Sequence, residues 1–119
     1  MFVAKYPDWV AQITFKDGSA FFFDGPKDMF KFYFNLQRYS PKKKVEDIGS
    51  IYVTDYYSLL PIDGFNALYV TGSDVHGPMG RELIPFGRNQ EALEFKSDHK
   101  GKEILKFQDI TPAVVKGLD

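Results

Sequence analysis

Two side chains in one short stretch of this chain could take a soft metal ion. In Gly72-Ser73-Asp74-Val75-His76-Gly77-Pro78-Met79-Gly80, the imidazole of His76 stands three residues before the thioether of Met79. A thioether is a soft, neutral donor that suits Cu(I) better than zinc or magnesium and needs no deprotonation; imidazole also binds copper. Three glycines and a proline shape the stretch, which lies between strand-like runs at Ala67–Thr71 and Glu82–Phe86. The matching connection earlier in the chain is a plain Asp17-Gly18 turn. A loop enlarged and glycine-tuned where a tight turn could serve is a common seat of function. Met79 is therefore the first candidate ligand, with packing between sheet and loop as its alternative reading. His76 is either a second donor or a solvent-exposed loop histidine.

The other polar and sulfur-bearing residues have structural explanations. Met29 shares an i, i+1, i+4, i+5 stripe with Phe30, Tyr33 and Phe34 and reads as core. His99 falls where a helix should end and meets the negative end of its dipole. Asp17, Asp24 and Asp63 sit beside glycine or proline as turn residues, and Asp74 reads as a cap within the loop. Ser73, Asp74 and His76 lie too close along one loop to hold triad geometry, in which the base is oriented from elsewhere in the fold. With no cysteine, the chain has no disulfide framework, thiolate nucleophile or cysteine-based zinc site. No enzymatic activity is expected. A net charge of −1, from 15 basic and 16 acidic residues, leaves no electrostatic footprint for nucleic acid. The Lys42-Lys43-Lys44 run precedes Glu46 and Asp47 and reads as a solvated loop. No apolar run approaches the roughly 20 residues of a membrane span.

The elements that must position these residues follow an α+β pattern: strand, strand, helix, strand, twice. Trp9–Phe15 alternates, the Asp17-Gly18 turn follows, and Ala20–Phe23 returns. Asp24-Gly25-Pro26 opens a helix, and Ile48–Thr54 is the third strand. In the second half Ala67–Thr71 and Glu82–Phe86 are strands. Asn89 caps a helix to about Lys100 with Ala92, Leu93 and Phe95 facing in, Gly101 ends it, and Glu103–Phe107 closes the unit. Thr111-Pro112 starts a short terminal helix that Gly117 stops. Phe23, Met29, Phe30 and Phe32 match Phe86, Ala92, Leu93 and Phe95 at one constant offset. Two similar ββαβ units are expected, at 1–61 and 62–119, in one compact domain.

A family resemblance rests on Met1-Phe2-Val3-Ala4, Trp9-Val10-Ala11-Gln12-Ile13, Phe23-Asp24-Gly25-Pro26, Tyr52-Val53-Thr54-Asp55, Tyr69-Val70-Thr71-Gly72-Ser73-Asp74, Gly77-Pro78-Met79-Gly80 and Ile84-Pro85-Phe86. In this order the chain resembles the NosL family, accessory lipoproteins that serve nitrous oxide reductase. The resemblance implies a pair of ββαβ units and a copper(I) carrier of the bacterial cell envelope, anchored as a lipoprotein. It also implies Met1 as a ligand partner of Met79. The family pattern places a cysteine just ahead of the methionine that Met1 matches, and this chain holds none. A chain cut behind the cysteine segment is one explanation, and a natural cysteine-free relative is the other.

The expected function is that of a metallochaperone delivering copper for assembly of a copper enzyme. Its metal set is Met79, Met1 and His76, and Cu(I) should be weakly bound without a thiolate. Its partners are the copper ion and a recipient copper enzyme or its assembly factors, with no nucleic acid. Membrane contact would come only through a lipid anchor absent from this chain, and a monomer is the default. The alternative is a non-metal interaction module of the same fold, presenting Tyr56, Tyr57 and the 72–80 loop to a protein partner.

Overall fold

The computed structural model describes residues 7–78 and 80–119. A 3-10 turn at Pro7–Trp9 leads into β1 (Ala11–Phe15), where alternation buries Ala11, Ile13 and Phe15. The chain turns at Gly18, φ +92°, with the Asp17 carboxylate accepting from the Ser19 N–H and hydroxyl, and returns as β2 (Ala20–Phe23). Helix α1 (Pro26–Phe34) begins with proline in its first turn, where the missing N–H costs nothing. A short helix α2 (Leu36–Tyr39), not foreseen in the sequence, continues it. Lys43 in the lysine run bonds Asp17 at 2.8 Å and lies over the Phe15 ring, so it braces the β1–β2 turn.

β3 (Ile48–Thr54) has the predicted bounds and pairs antiparallel with β1. An unpredicted strand β4 (Pro61–Asp63) adds to its outer side, across the boundary expected at residue 61, giving the order β2-β1-β3-β4. The second sheet sets β5 (Leu68–Thr71) between β8 (Ile84–Phe86) and β9 (Glu103–Lys106). In each sheet the first strand of the unit is central, with its hairpin partner on one side and the strand after the helix on the other. The expected twofold ββαβ arrangement is therefore present in an α+β fold.

Several borders move. Trp9, Ala67, Glu82 and Phe107 lie outside the strands to which their apolar neighbours assigned them. Helix α3 spans Asn89–Asp98, so Asn89 is inside it; Arg88 is the N-cap and makes no side-chain cap bond. Instead the Asp55 carboxylate, 3% exposed, accepts from the Gly87 N–H at 2.7 Å, just ahead of the helix. At the far end His99 is the C-cap and Lys100 takes the left-handed conformation, φ +59°. Gly101 is needed for space: a Cβ there would come within 2.7 Å of Val70. Helix α4 (Pro112–Lys116) is capped as expected, with the Thr111 side chain accepting from the Val114 N–H.

The main core is shared by both halves. Ile13, Phe15, Met29, Phe30 and Ile51 pack in one cluster with Tyr69, Leu83, Ile110, Val115 and Leu118. Helix α1 lies within it: Phe32 meets Phe21 and Phe23 at 5.0 and 5.2 Å, while Phe30 meets the edge of Tyr69 at 5.5 Å. A smaller cluster of Val70, Ile84, Phe86, Ala92 and Phe95 lies under α3. Adjacent Tyr69 and Val70 project to opposite faces, so β5 serves both cores. Leu93 does not face in; it is 51% exposed. The offset that matched it to buried Phe30 fails because α1 is covered on two sides. Helix α3 presents one stripe, Ala92 and Phe95, and Leu93 turns roughly 100° away from Ala92.

Candidate metal-holding turn

β5 ends at Thr71, and Gly72 takes φ +72°, which releases the chain from the sheet. The Ser73 hydroxyl accepts from the Val75 N–H at 3.3 Å and closes a local turn. Asp74 is tied to the end of α3 twice: its N–H donates to the His99 carbonyl at 2.8 Å, and its carboxylate meets His99 Nδ1 at 3.0 Å. The His99 ring also stacks on Phe95 at 4.5 Å. Ser73, Asp74 and His76 therefore do not form a relay, since the first two side chains are engaged elsewhere.

The expected nine-residue loop is a small hairpin. Strand β6 (His76–Gly77) pairs with β7 (Gly80–Arg81), His76 opposite Arg81 and Gly77 opposite Gly80. Gly80 takes φ +97°, a conformation that glycine reaches without strain. His76 is exposed and lines a cleft of about 420 Å³ with Arg81, Lys102 and Glu103. Met79, the leading candidate, and Met1, its expected partner, lie outside the described residues. Met29 is fully buried in the main core and is a packing residue. Among the described residues, no three His, Asp or Glu side chains converge as a metal cluster.

The hairpin stands on two buried ionisable side chains that sequence reasoning missed. Glu82, just beyond β7, is 3% exposed, and Lys27 in the first turn of α1 is 4% exposed. Glu82 Oε1 accepts from the backbone N–H of Lys27 at 2.6 Å and of Leu83 at 2.9 Å. It thus caps α1, whose own N-cap residue Gly25 has no side chain to offer. Desolvation raises the Glu82 carboxyl to about 7, against the opposing pull of these hydrogen bonds and of Lys27. Lys27 Nζ is 3.9 Å from the exposed carboxylate of Asp119. An acidic residue beside the apolar Leu83-Ile84-Pro85-Phe86 run was the only signal, and strand periodicity absorbed it.

Of the two tyrosines expected to form an exposed surface, only Tyr57 is exposed, at 43%. Tyr56 is half-buried and packs edge-on against Phe95 at 4.9 Å.

A family model described as NosL matches residues 1–115. The fold is similar to the crystal structure of the copper chaperone NosL from Shewanella denitrificans. The TM-score is 0.70 at 26% identity, over 87% of this chain and 79% of that one. It is also similar to the solution NMR structure of the apo-NosL protein from Achromobacter cycloclastes. There the TM-score is 0.59 at 29% identity, over 88% and 87% of the two chains. No curated protein matches the chain.

Proposed function

The chain belongs to the NosL family, and from that premise we propose that it is a copper metallochaperone that carries the ion as Cu(I) to a copper enzyme or its assembly factors. NosL proteins are accessory proteins rather than enzymes. The observation that carries the reading is the likeness, over most of the chain, to a copper chaperone whose fold it shares. Met79 is assigned as the principal ligand, with Met1 and His76 as partners. Transfer calls for few, soft, accessible donors that a recipient can displace stepwise, and thioethers with one imidazole meet that need. Without a thiolate the ion is held weakly. Placing the protein on the periplasmic side of the cell envelope as a lipid-anchored monomer belongs to the same proposal, as does its division into units near residue 61.

Competition with a chromogenic Cu(I) chelator under anaerobic conditions tests the ligand assignment. Met79→Leu keeps volume and apolarity, so the fold should survive at a cost under about 1.5 kcal/mol. Loss of the sulfur should weaken Cu(I) binding about tenfold or more, equivalent to ~1.4 kcal/mol. A variant that binds Cu(I) as tightly as its parent makes Met79 a packing residue and removes it from the site.

A further inference from the structure

We propose that Glu82 is a positioning residue for the turn that carries Met79, acting with Lys27 as a buried pedestal beneath its two legs. The inference deepens the copper-carrier reading and rests on it for its functional meaning. The geometry is specific to the glycines that flank Pro78-Met79. A Cβ at Gly77 would lie 3.3 Å from Glu82 Cγ, and one at Gly80 would lie 4.0 Å from Lys27 Nζ. On the other side Glu82 Oε2 presses on Gly25, where a Cβ would collide with it. One carboxylate therefore joins the outgoing leg of the hairpin to the amino end of α1, and glycines on both sides let the backbones close on it.

Such a pedestal responds to protons. The Glu82 carboxyl, raised by burial, changes charge near neutral pH. The charged groups around it are Lys27 and Asp28 on α1, with Asp119 beyond Lys27. His76, Arg81, Lys102 and Glu103 line the same cleft. Ionised Glu82 places a negative charge beneath a turn meant for a monovalent cation. By linkage, a cation that binds better to the ionised form must bind better as pH rises.

The positioning claim is tested on the metal-free protein by recording the Gly77 and Gly80 amide resonances from pH 5.5 to 8.5. The parent should show a common titration with a midpoint near 7, and it should persist in His76→Ala. In Glu82→Gln, which keeps an acceptor for the Lys27 and Leu83 amides, that titration should vanish while the rest of the spectrum stays folded. Identical titration in Glu82→Gln, or loss of titration in His76→Ala alone, overturns the proposal. The copper arm is separate. Cu(I) affinity of the parent should rise severalfold between pH 6 and 8, and in Glu82→Gln the rise should be reduced. If the amides titrate but no Cu(I) binds, the pedestal stands and the copper reading fails. If Cu(I) binds with the same pH profile in both proteins, Glu82 does not act on the site.

Discussion

A carboxylate that is 3% exposed must either be ionised and compensated or hold its proton. Glu82 lies at the balance, since burial raises it to about 7 from an ordinary 4.5. The folded chain binds this proton more tightly than the unfolded chain does. Its contribution to stability is therefore complete below pH 4.5 and is lost as pH rises toward 7. At about 1.4 kcal/mol per pH unit, the loss is on the order of 3–4 kcal/mol at most. Glu82→Gln should escape it. In urea unfolding the variant should match its parent near pH 4 and exceed it at pH 8. The comparison cancels the opposite contributions of Asp17 and Asp119, whose carboxyls are held low chiefly by hydrogen bonds from Lys43 and Lys31. A parent that is no less stable at pH 8, relative to the variant, shows that Lys27 and the backbone donors compensate the charge in full. A group that costs stability when ionised and is kept beneath the proposed metal-holding turn fits the usual exchange of stability for function.

The two main helices begin in parallel ways, because each borrows a carboxylate from the other half of the chain. Glu82 serves the first turn of α1, and Asp55 serves the Gly87 N–H ahead of α3. The Asp55 carboxylate also accepts from Tyr57 and Ser58, so it organises the β3–β4 connection as well. What the helices bury then differs. Helix α1 lies inside the main cluster, and α3 rests on one sheet face through Ala92 and Phe95. Phe95→Ala should cost about 3–5 kcal/mol, as expected for deletion of a fully buried ring. Leu93→Lys should change stability by no more than about 0.5 kcal/mol, since it sits on the exposed face. Thermal and urea unfolding of the pair decide the matter, and equal costs would mean that α3 is covered on both sides.

In the whole molecule, twofold similarity does not mean two independent halves. Tyr69, Leu83, Ile110, Val115 and Leu118 from the second unit complete the cluster that holds Ile13, Phe30 and Ile51 of the first. Separate fragments 1–63 and 64–119 should each remain unfolded by circular dichroism, because each would expose half of that core. Mixed at high concentration they should regain part of the native signal. A cooperative unfolding transition in either fragment alone would show that the units are autonomous.

Much of the frame was legible because its signals are local. Alternation set Ile13 and Phe15 inward in β1, and the bounds of β2 and β3 match their apolar runs. Pro26 and Thr111 marked helix starts through their own backbone chemistry. The candidate soft donor Met79 is a matter of residue type alone, since it stands out within the glycine-shaped stretch 72–80. The absence of cysteine needs no structure to be seen. What periodicity could not supply is the partner of each polar group and the number of covered faces on each helix. Glu82 meets the Lys27 N–H across 55 residues, and Asp55 meets Gly87 across 32. The bond from Asp74 to His99 spans 25. Burial of Phe30 and exposure of Leu93, equivalent in the sequence repeat, were decided only when the first sheet, helix α4 and Tyr69 of β5 packed around α1 and one face of α3 was left in water. Desolvation of Glu82 has the same origin: a charge is driven toward neutrality by the atoms that displace its water, and here those atoms come from distant parts of the chain.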